Sequence, residues 1–177
     1  QIIVSSEDTE IQNLAKKENV VIHNRSPYLA TDKATVAETC LDVLEKFPAK
    51  YFCCIYATAA LVSKDTLIKA SKKFFSSKST NVLMGVSKYN YHPFKALKVS
   101  KNGNAKLIFS KYNKLKSNFY PETRVSNGTF YWAKYKDFIK EKTFYSKKLK
   151  IFDVNEIEVS DIDNIDDYNK LIKNYKI

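Results

Sequence analysis

Lys50-Tyr51-Phe52-Cys53-Cys54-Ile55-Tyr56-Ala57-Thr58-Ala59-Ala60-Leu61 is the stretch on which the fold turns. Its first half is a continuous apolar run with Pro48 behind it and small or polar residues ahead, the pattern of a strand buried on both faces. Working upstream, Thr31-Asp32-Lys33-Ala34-Thr35 supplies a capping residue for a helix running to about Lys46. Before it lie a β-branched run at Val20-Val21-Ile22, a helical segment from about Thr9 to Glu18, and a first strand at Ile2-Ile3-Val4. Downstream, Ser63 or Asp65 opens a helix that reaches about Phe75. Strand and helix alternate through this half of the chain, which argues for an α/β sheet of mostly parallel strands.

Beyond Phe75 the rhythm changes. Val82 to Val86 reads as another central strand, but Ala96–Val99 and Lys106–Phe109 flank Asn102-Gly103, a hairpin signal, so an antiparallel excursion is expected. Thr129 to Ala133 reads as a strand, residues 136–142 as a helix, Glu156 to Val159 as a strand, and Asp163 to Asn174 as a closing helix. Neither an internal repeat nor a low-complexity linker interrupts the 177 residues, and a single domain is expected over 1–177.

Composition narrows the function classes. Hydrophobic residues make up 44%, which excludes general disorder, and no apolar run approaches the ~20 residues of a membrane-spanning helix. A soluble cytoplasmic protein is the expectation. Cys40, Cys53 and Cys54 have no metal-ligand spacing and read as reduced core thiols; His23 and His92 are too isolated for a zinc site or a histidine-centred triad. The net charge of +11 is uneven: residues 61–150 carry 21 Lys or Arg against 4 acids, whereas both ends are slightly acidic. Such a field favours an anionic partner. Only Arg25 and Arg124 offer a planar fork, and the aromatic residues match no RNA-binding signature, so a Lys-rich solvated surface is preferred to a dedicated nucleic-acid patch.

Val159-Ser160-Asp161-Ile162-Asp163-Asn164 adds chemistry. In an extended segment Asp161 and Asp163 share a face with Ile162 turned away, and Mg2+ is commonly held by one or two carboxylates together with substrate phosphates. The same residues also read as a helix start, with Asp163 as the N-cap and Asp166 and Asp167 in the first turn. Both readings stay open on these residues alone.

Taken in order, several motifs resemble those of the acylneuraminate cytidylyltransferases, the family of CMP-sialic acid synthetases and their pseudaminic acid relatives. Ile2-Ile3-Val4-Ser5-Ser6-Glu7-Asp8 is similar to the family's I-V-S-T-D, and Arg25-Ser26-Pro27-Tyr28-Leu29-Ala30-Thr31-Asp32 to its R-P-x-x-L-A-x-D loop. Cys53 to Leu61 resembles the strand ending in the sugar-facing loop, in the form of the pseudaminic acid branch. His92-Pro93-Phe94-Lys95-Ala96-Leu97 resembles the start of a dimerisation excursion, Asn127-Gly128-Thr129-Phe130-Tyr131 is similar to N-G-A-I-Y, and Asp161-Ile162-Asp163 to D-I-D.

The resemblance implies a Rossmann-like three-layer nucleotidyltransferase sheet of GT-A type, with an excursion at about 91–132 through which a homodimer forms. It implies transfer of CMP from CTP to an acidic nine-carbon sugar. Asp161 and Asp163 would hold Mg2+, Arg25 would lie near the nucleotide, and Tyr56, Thr58, Asn127 and Gly128 would face the sugar. Each has an ordinary alternative: Arg25 as a surface ion-pair partner, Tyr56 as a core-edge aromatic, Asn127-Gly128 as a plain turn. The family's glycine-rich basic loop, A-R-x-G-S-K-x-x-x-x-K-N, has no counterpart here. The expectation is that the 177 residues alone do not catalyse transfer, whereas the same chain extended upstream does. The alternative is a shortened relative serving as a binding or assembly module. Ala60 replaces a proline of the sialic acid branch, and Lys111–Tyr120 lacks an expected arginine, which leaves the sugar open.

Overall fold

The computed structural model describes residues 1–160, 162 and 164–175. In order, β1 (Ile3–Ser6), α1 (Thr9–Lys17), β2 (Val21–Asn24), α2 (Val36–Lys46), β3 (Tyr51–Ile55) and α3 (Lys64–Ser76) realise the expected alternation. They are followed by β4 (Val82–Ser87), β5 (Leu97–Val99), β6 (Ala105–Leu107), β7 (Val125–Lys134), α4 (Tyr135–Glu141), β8 (Leu149–Asp153) and α5 (Ile165–Tyr175).

Local chemistry sets the helix boundaries. Asp8 opens α1 by accepting the Ile11 amide at 2.9 Å. Thr35 and Glu38 form a reciprocal capping box at the start of α2, satisfying two amides that the helix leaves orphaned. Ser63 Oγ accepts the Thr66 amide at 3.1 Å, so Ser63 rather than Asp65 caps α3. At α5 the cap is Asn164, whose side-chain oxygen accepts the amides of Asp166 and Asp167 at 2.9 and 3.1 Å. Asp163, the capping residue expected from the sequence, lies outside the described residues.

Three sheets form. β1 and β2 pair in parallel, β5 and β6 pair antiparallel, and four strands follow the order β3-β7-β4-β8. β3 pairs with β7 antiparallel, from Tyr51 opposite Lys134 to Ile55 opposite Phe130. The sequence reading took β3 for a parallel strand buried on both faces; its residues are half-buried or exposed, with one strand neighbour in the described sheet. β4 and β8 run in the same direction, since the Asn81 amide bonds the Lys148 carbonyl at one end and the Val154 amide bonds the Val86 carbonyl at the other. β4 is the buried centre, with Val82, Leu83, Met84 and Val86 all enclosed.

Two corrections concern the C-terminal third. Glu156–Glu158 is a single 3-10 turn rather than a strand, because Asn155 turns its side chain onto the Ile157 amide at 3.3 Å and closes the backbone locally. The strand there is β8, which the sequence reading missed.

By contacts the chain divides into two compact units. One comprises Gln1–Ile55, Ala70–Met84 and Phe130–Lys150, the other Tyr56–Lys69, Gly85–Thr129 and Ile151–Ile177. In the first, Phe74, Phe138 and Phe130 are fully buried, with Phe52 edge-on to Phe138 at 5.0 Å and Tyr131 stacked on Phe144 at 4.4 Å. The thiols lie here too: Cys53 is pushed up to about 12 by burial and by Cys54. Cys40 is pushed up further, by its contact with Cys54 and by burial. All three thiols are free and half-buried.

In the second unit the excursion builds a small aromatic cluster. Phe94 stacks flat on Tyr112 at 3.7 Å, and His92 and Tyr120 pack around it. Gly103 takes the left-handed conformation (φ +82°) in the β5–β6 turn, as the Asn-Gly signal required.

Candidate functional site

The second unit gathers four of the predicted site residues. Tyr56 leaves the end of β3, and its amide bonds the Thr129 carbonyl of β7 at 3.1 Å. Its ring lies against Gly128: a Cβ built there would sit 3.5 Å from Tyr56 Cδ2, ordinary contact, so space alone does not demand glycine. The backbone does, because Gly128 has φ +63° in the middle of a strand, where a side chain would be strained. Asn127 is half-buried beside it, its amide nitrogen donating to Ser87 Oγ at 3.0 Å and its oxygen accepting the Thr129 hydroxyl at 2.6 Å.

Thr58 enters through its backbone. Its carbonyl accepts a hydrogen bond from Ser160 Oγ, which ties the loop after β3 to the residue immediately before the Asp161-Ile162-Asp163 run. Asp161 and Asp163 themselves lie outside the described residues. Among the described residues no group of three or more His, Cys, Asp or Glu gathers to hold a metal. The donor set of the Asp pair, two carboxylates, suits a hard divalent cation. Its flanks are tied down at Ser160 and Asn164 within the same unit.

Arg25 lies in the other unit, just after β2. Both its Nε and Nη2 donate to Glu7 Oε2, at 2.7 and 2.5 Å. The Glu7 carboxyl is held below its ordinary range by its own backbone amide and then by Arg25. The guanidinium is thus held in place by Glu7 while its Nη1 edge is uncommitted to that pair. Close by, His23 is buried: Nδ1 meets Ser5 Oγ at 2.9 Å, and Nε2 lies 2.9 Å from Asp42 and 3.1 Å from Lys46. Burial, reinforced by Lys46, lowers its pKa against the opposing pull of Asp42.

The sequence reading missed a groove in the second unit. Lys88, Tyr89, His92, Tyr120 and the segment Pro121–Arg124 line an open cavity of about 440 Å3. Chain continuity links it to the residues above, since Lys88 follows Ser87 and Arg124 stands three residues before Asn127. His92 Nε2 donates to the Pro121 carbonyl at 3.2 Å and fixes the rim. Arg124 is already committed, with Nε on Asp153 at 2.5 Å and Nη2 on Glu122 at 2.6 Å, and these two carboxylates raise its pKa. The only sequence signal for the groove was the local excess of Lys and aromatic residues, which has no spacing to read.

Comparison with known proteins bears on this arrangement. A sequence model of the family described as Cytidylyltransferase matches residues 1–167. The pseudaminic acid cytidylyltransferase of Campylobacter jejuni subsp. jejuni serotype O:2 (strain ATCC 700819 / NCTC 11168) is 27% identical over 173 residues, covering 94% of this chain and 74% of that protein. In Helicobacter pylori (strain ATCC 700392 / 26695), a protein named pseudaminic acid cytidylyltransferase and UDP-2,4-diacetamido-2,4,6-trideoxy-beta-L-altropyranose hydrolase is 24% identical over 166 residues, covering 92% of this chain and 32% of that one. Among solved structures, CMP:2-keto-3-deoxy-manno-octonic acid synthetase complexed with CTP superposes with a TM-score of 0.66 at 9% identity, over all of this chain and 82% of that one, and so shares its fold. With a family match running from the first residue through the Asp161-Ile162-Asp163 run, the chain belongs to the cytidylyltransferase family and is a nucleotidyltransferase that uses CTP.

Proposed function

We propose that the protein transfers CMP from CTP to an acidic nine-carbon sugar of the pseudaminic or sialic acid type. A sugar hydroxyl oxygen attacks the α-phosphorus and loses its proton; the bond to the bridging oxygen breaks, and pyrophosphate leaves. The observation that carries this reading is the Tyr56–Gly128–Asn127 surface adjoining, along the chain, the groove lined by Lys88, Tyr89, His92 and Tyr120. It offers a bare backbone for close approach, an oriented amide, aromatic walls and an exposed lysine for a carboxylate. The named pseudaminic acid relatives support the sugar class.

Chemistry of this kind rests on positioning and charge neutralisation. Tyr56, Thr58, Asn127 and Gly128 orient the sugar, and Arg25, braced by Glu7, offers its remaining donors to the nucleotide. Asp161 and Asp163 would hold Mg2+, which would supply charge neutralisation at the triphosphate. The excursion at about 91–132 is the proposed homodimer contact: Leu97, Val99, Ile108 and Phe119 are exposed on it and would be covered by a second copy.

An acceptor panel tests the reading. The full-length protein should form a CMP-sugar from CTP and a nine-carbon acidic sugar in preference to 2-keto-3-deoxy-manno-octonic acid, and Asn127→Ala should raise the KM of the sugar while leaving that of CTP near its original value. Preference for the eight-carbon acid, or an equal rise in both constants, would overturn the assignment of the sugar site.

A further inference from the structure

We propose that Thr129, accommodated by Gly85, is a positioning residue that makes Asn127 a pure hydrogen-bond donor toward the substrate, so the group Asn127 reads is an acceptor oxygen: a carboxylate or an acyl-amide carbonyl. The inference rests on Asn127 lining the sugar site. Thr129 is fully buried on β7, and both its backbone amide and its hydroxyl point at Asn127 Oδ1, at 3.3 and 2.6 Å. A backbone N–H can only donate, so the atom facing it is the amide oxygen and the orientation of the Asn127 amide is fixed. A carbonyl oxygen has two lone pairs, and Thr129 takes both.

At the other end of the amide, Nδ2 gives one hydrogen to Ser87 Oγ at 3.0 Å. Its second hydrogen meets no partner among the described residues, and the residue is half-exposed. What the Asn127 amide has left to give a ligand is therefore one N–H and no acceptor. Thr129 also holds the next site residue, since its carbonyl accepts the Tyr56 amide at 3.1 Å. Gly85 makes this possible: a Cβ there would stand 2.4 Å from Thr129 Oγ1, well inside contact, and 3.4 Å from Asn127 Oδ1.

The test uses the full-length protein with CTP and a nine-carbon acidic sugar. Thr129→Val keeps the shape and removes the hydroxyl; it should raise the sugar KM roughly tenfold, the cost of one hydrogen bond lost at a buried site, without moving the CTP KM. Thr129→Ser should restore the sugar KM, and adding Thr129→Val to Asn127→Ala should cause no further loss, because the two act as one unit. Replacing the acyl-amide of the sugar with a free amine, or its carboxylate with an ester, identifies the oxygen that is read: the discrimination against one of them should disappear in Asn127→Ala. An unchanged sugar KM in Thr129→Val, an equal rise for CTP, or discrimination that survives Asn127→Ala for both analogues would overturn the proposal. One readout needs no turnover: the side-chain amide protons of Asn127, followed by NMR, should be shifted and exchange slowly in the wild type. An Asn127 amide as freely exchanging as those of exposed asparagines would defeat the clamp. Absence of turnover with every sugar would instead defeat the sugar-site reading, leaving the amide signal to decide the clamp.

Discussion

His23 shows how a single buried group couples fold to pH. It fills the core end of β2 with its two ring nitrogens engaged by Ser5 and by the Asp42–Lys46 pair, and burial holds its pKa below the ordinary 6.5. A histidine depressed in the folded state is protonated more readily when unfolded, so stability is fully present above 6.5 and declines as the pH falls below it. Denaturant unfolding followed from pH 8 to pH 5 should show that decline, and His23→Gln should flatten it. A slope that persists unchanged in the variant would place the proton uptake elsewhere. Nothing in the sequence marked His23 for this role; an isolated histidine in a β-branched run gives no sign of the helix residues that fold onto it.

Among the elements, α2 is the one whose boundaries were most legible, since Thr35 followed three residues later by Glu38 writes a capping box into the sequence, and the structure forms both of its bonds. Thr35→Ala should lower stability by about 1 kcal/mol, read from the shift in denaturant midpoint, and should leave the KM values unchanged. β7 was legible only in part. Its core segment stood out by its apolar run, but Val125 to Gly128, which belong to the same strand, lack that signal. β8 was lost because it is short and directly follows Lys147 and Lys148, and the neighbouring Glu156–Val159 looked more strand-like than the Asn155 turn allows. Gly85 was invisible as a requirement, for only the approach of Thr129 from another strand creates it. Gly85→Ala should cost about 1–3 kcal/mol by overpacking, and should weaken sugar binding along with stability.

At the scale of the whole molecule, the collinear order of six short motifs carried the family assignment further than composition could, and the match over residues 1–167 agrees with it. The site was less legible than the fold: the Tyr56 ring lies against Gly128, next to Asn127, whereas the groove lined by Lys88 and His92 arises from loops that carry no pattern. Among the described residues no helix is long and apolar enough to cross a membrane. The exposed apolar residues of the excursion lead to an expectation for assembly. Sedimentation should give a dimer at micromolar concentration, shifted toward monomer by a Leu97→Lys, Val99→Lys double substitution, and a wild-type monomer throughout would contradict it. The central claim, cytidylyl transfer to an acidic nine-carbon sugar, is tested most directly by pyrophosphate release from the full-length protein with CTP, Mg2+ and pseudaminic acid. Sugar-dependent release with stoichiometric CMP-sugar, sharply reduced in Asp161→Asn, is the predicted result; no release above that of CTP alone, or full activity in Asp161→Asn, would contradict it.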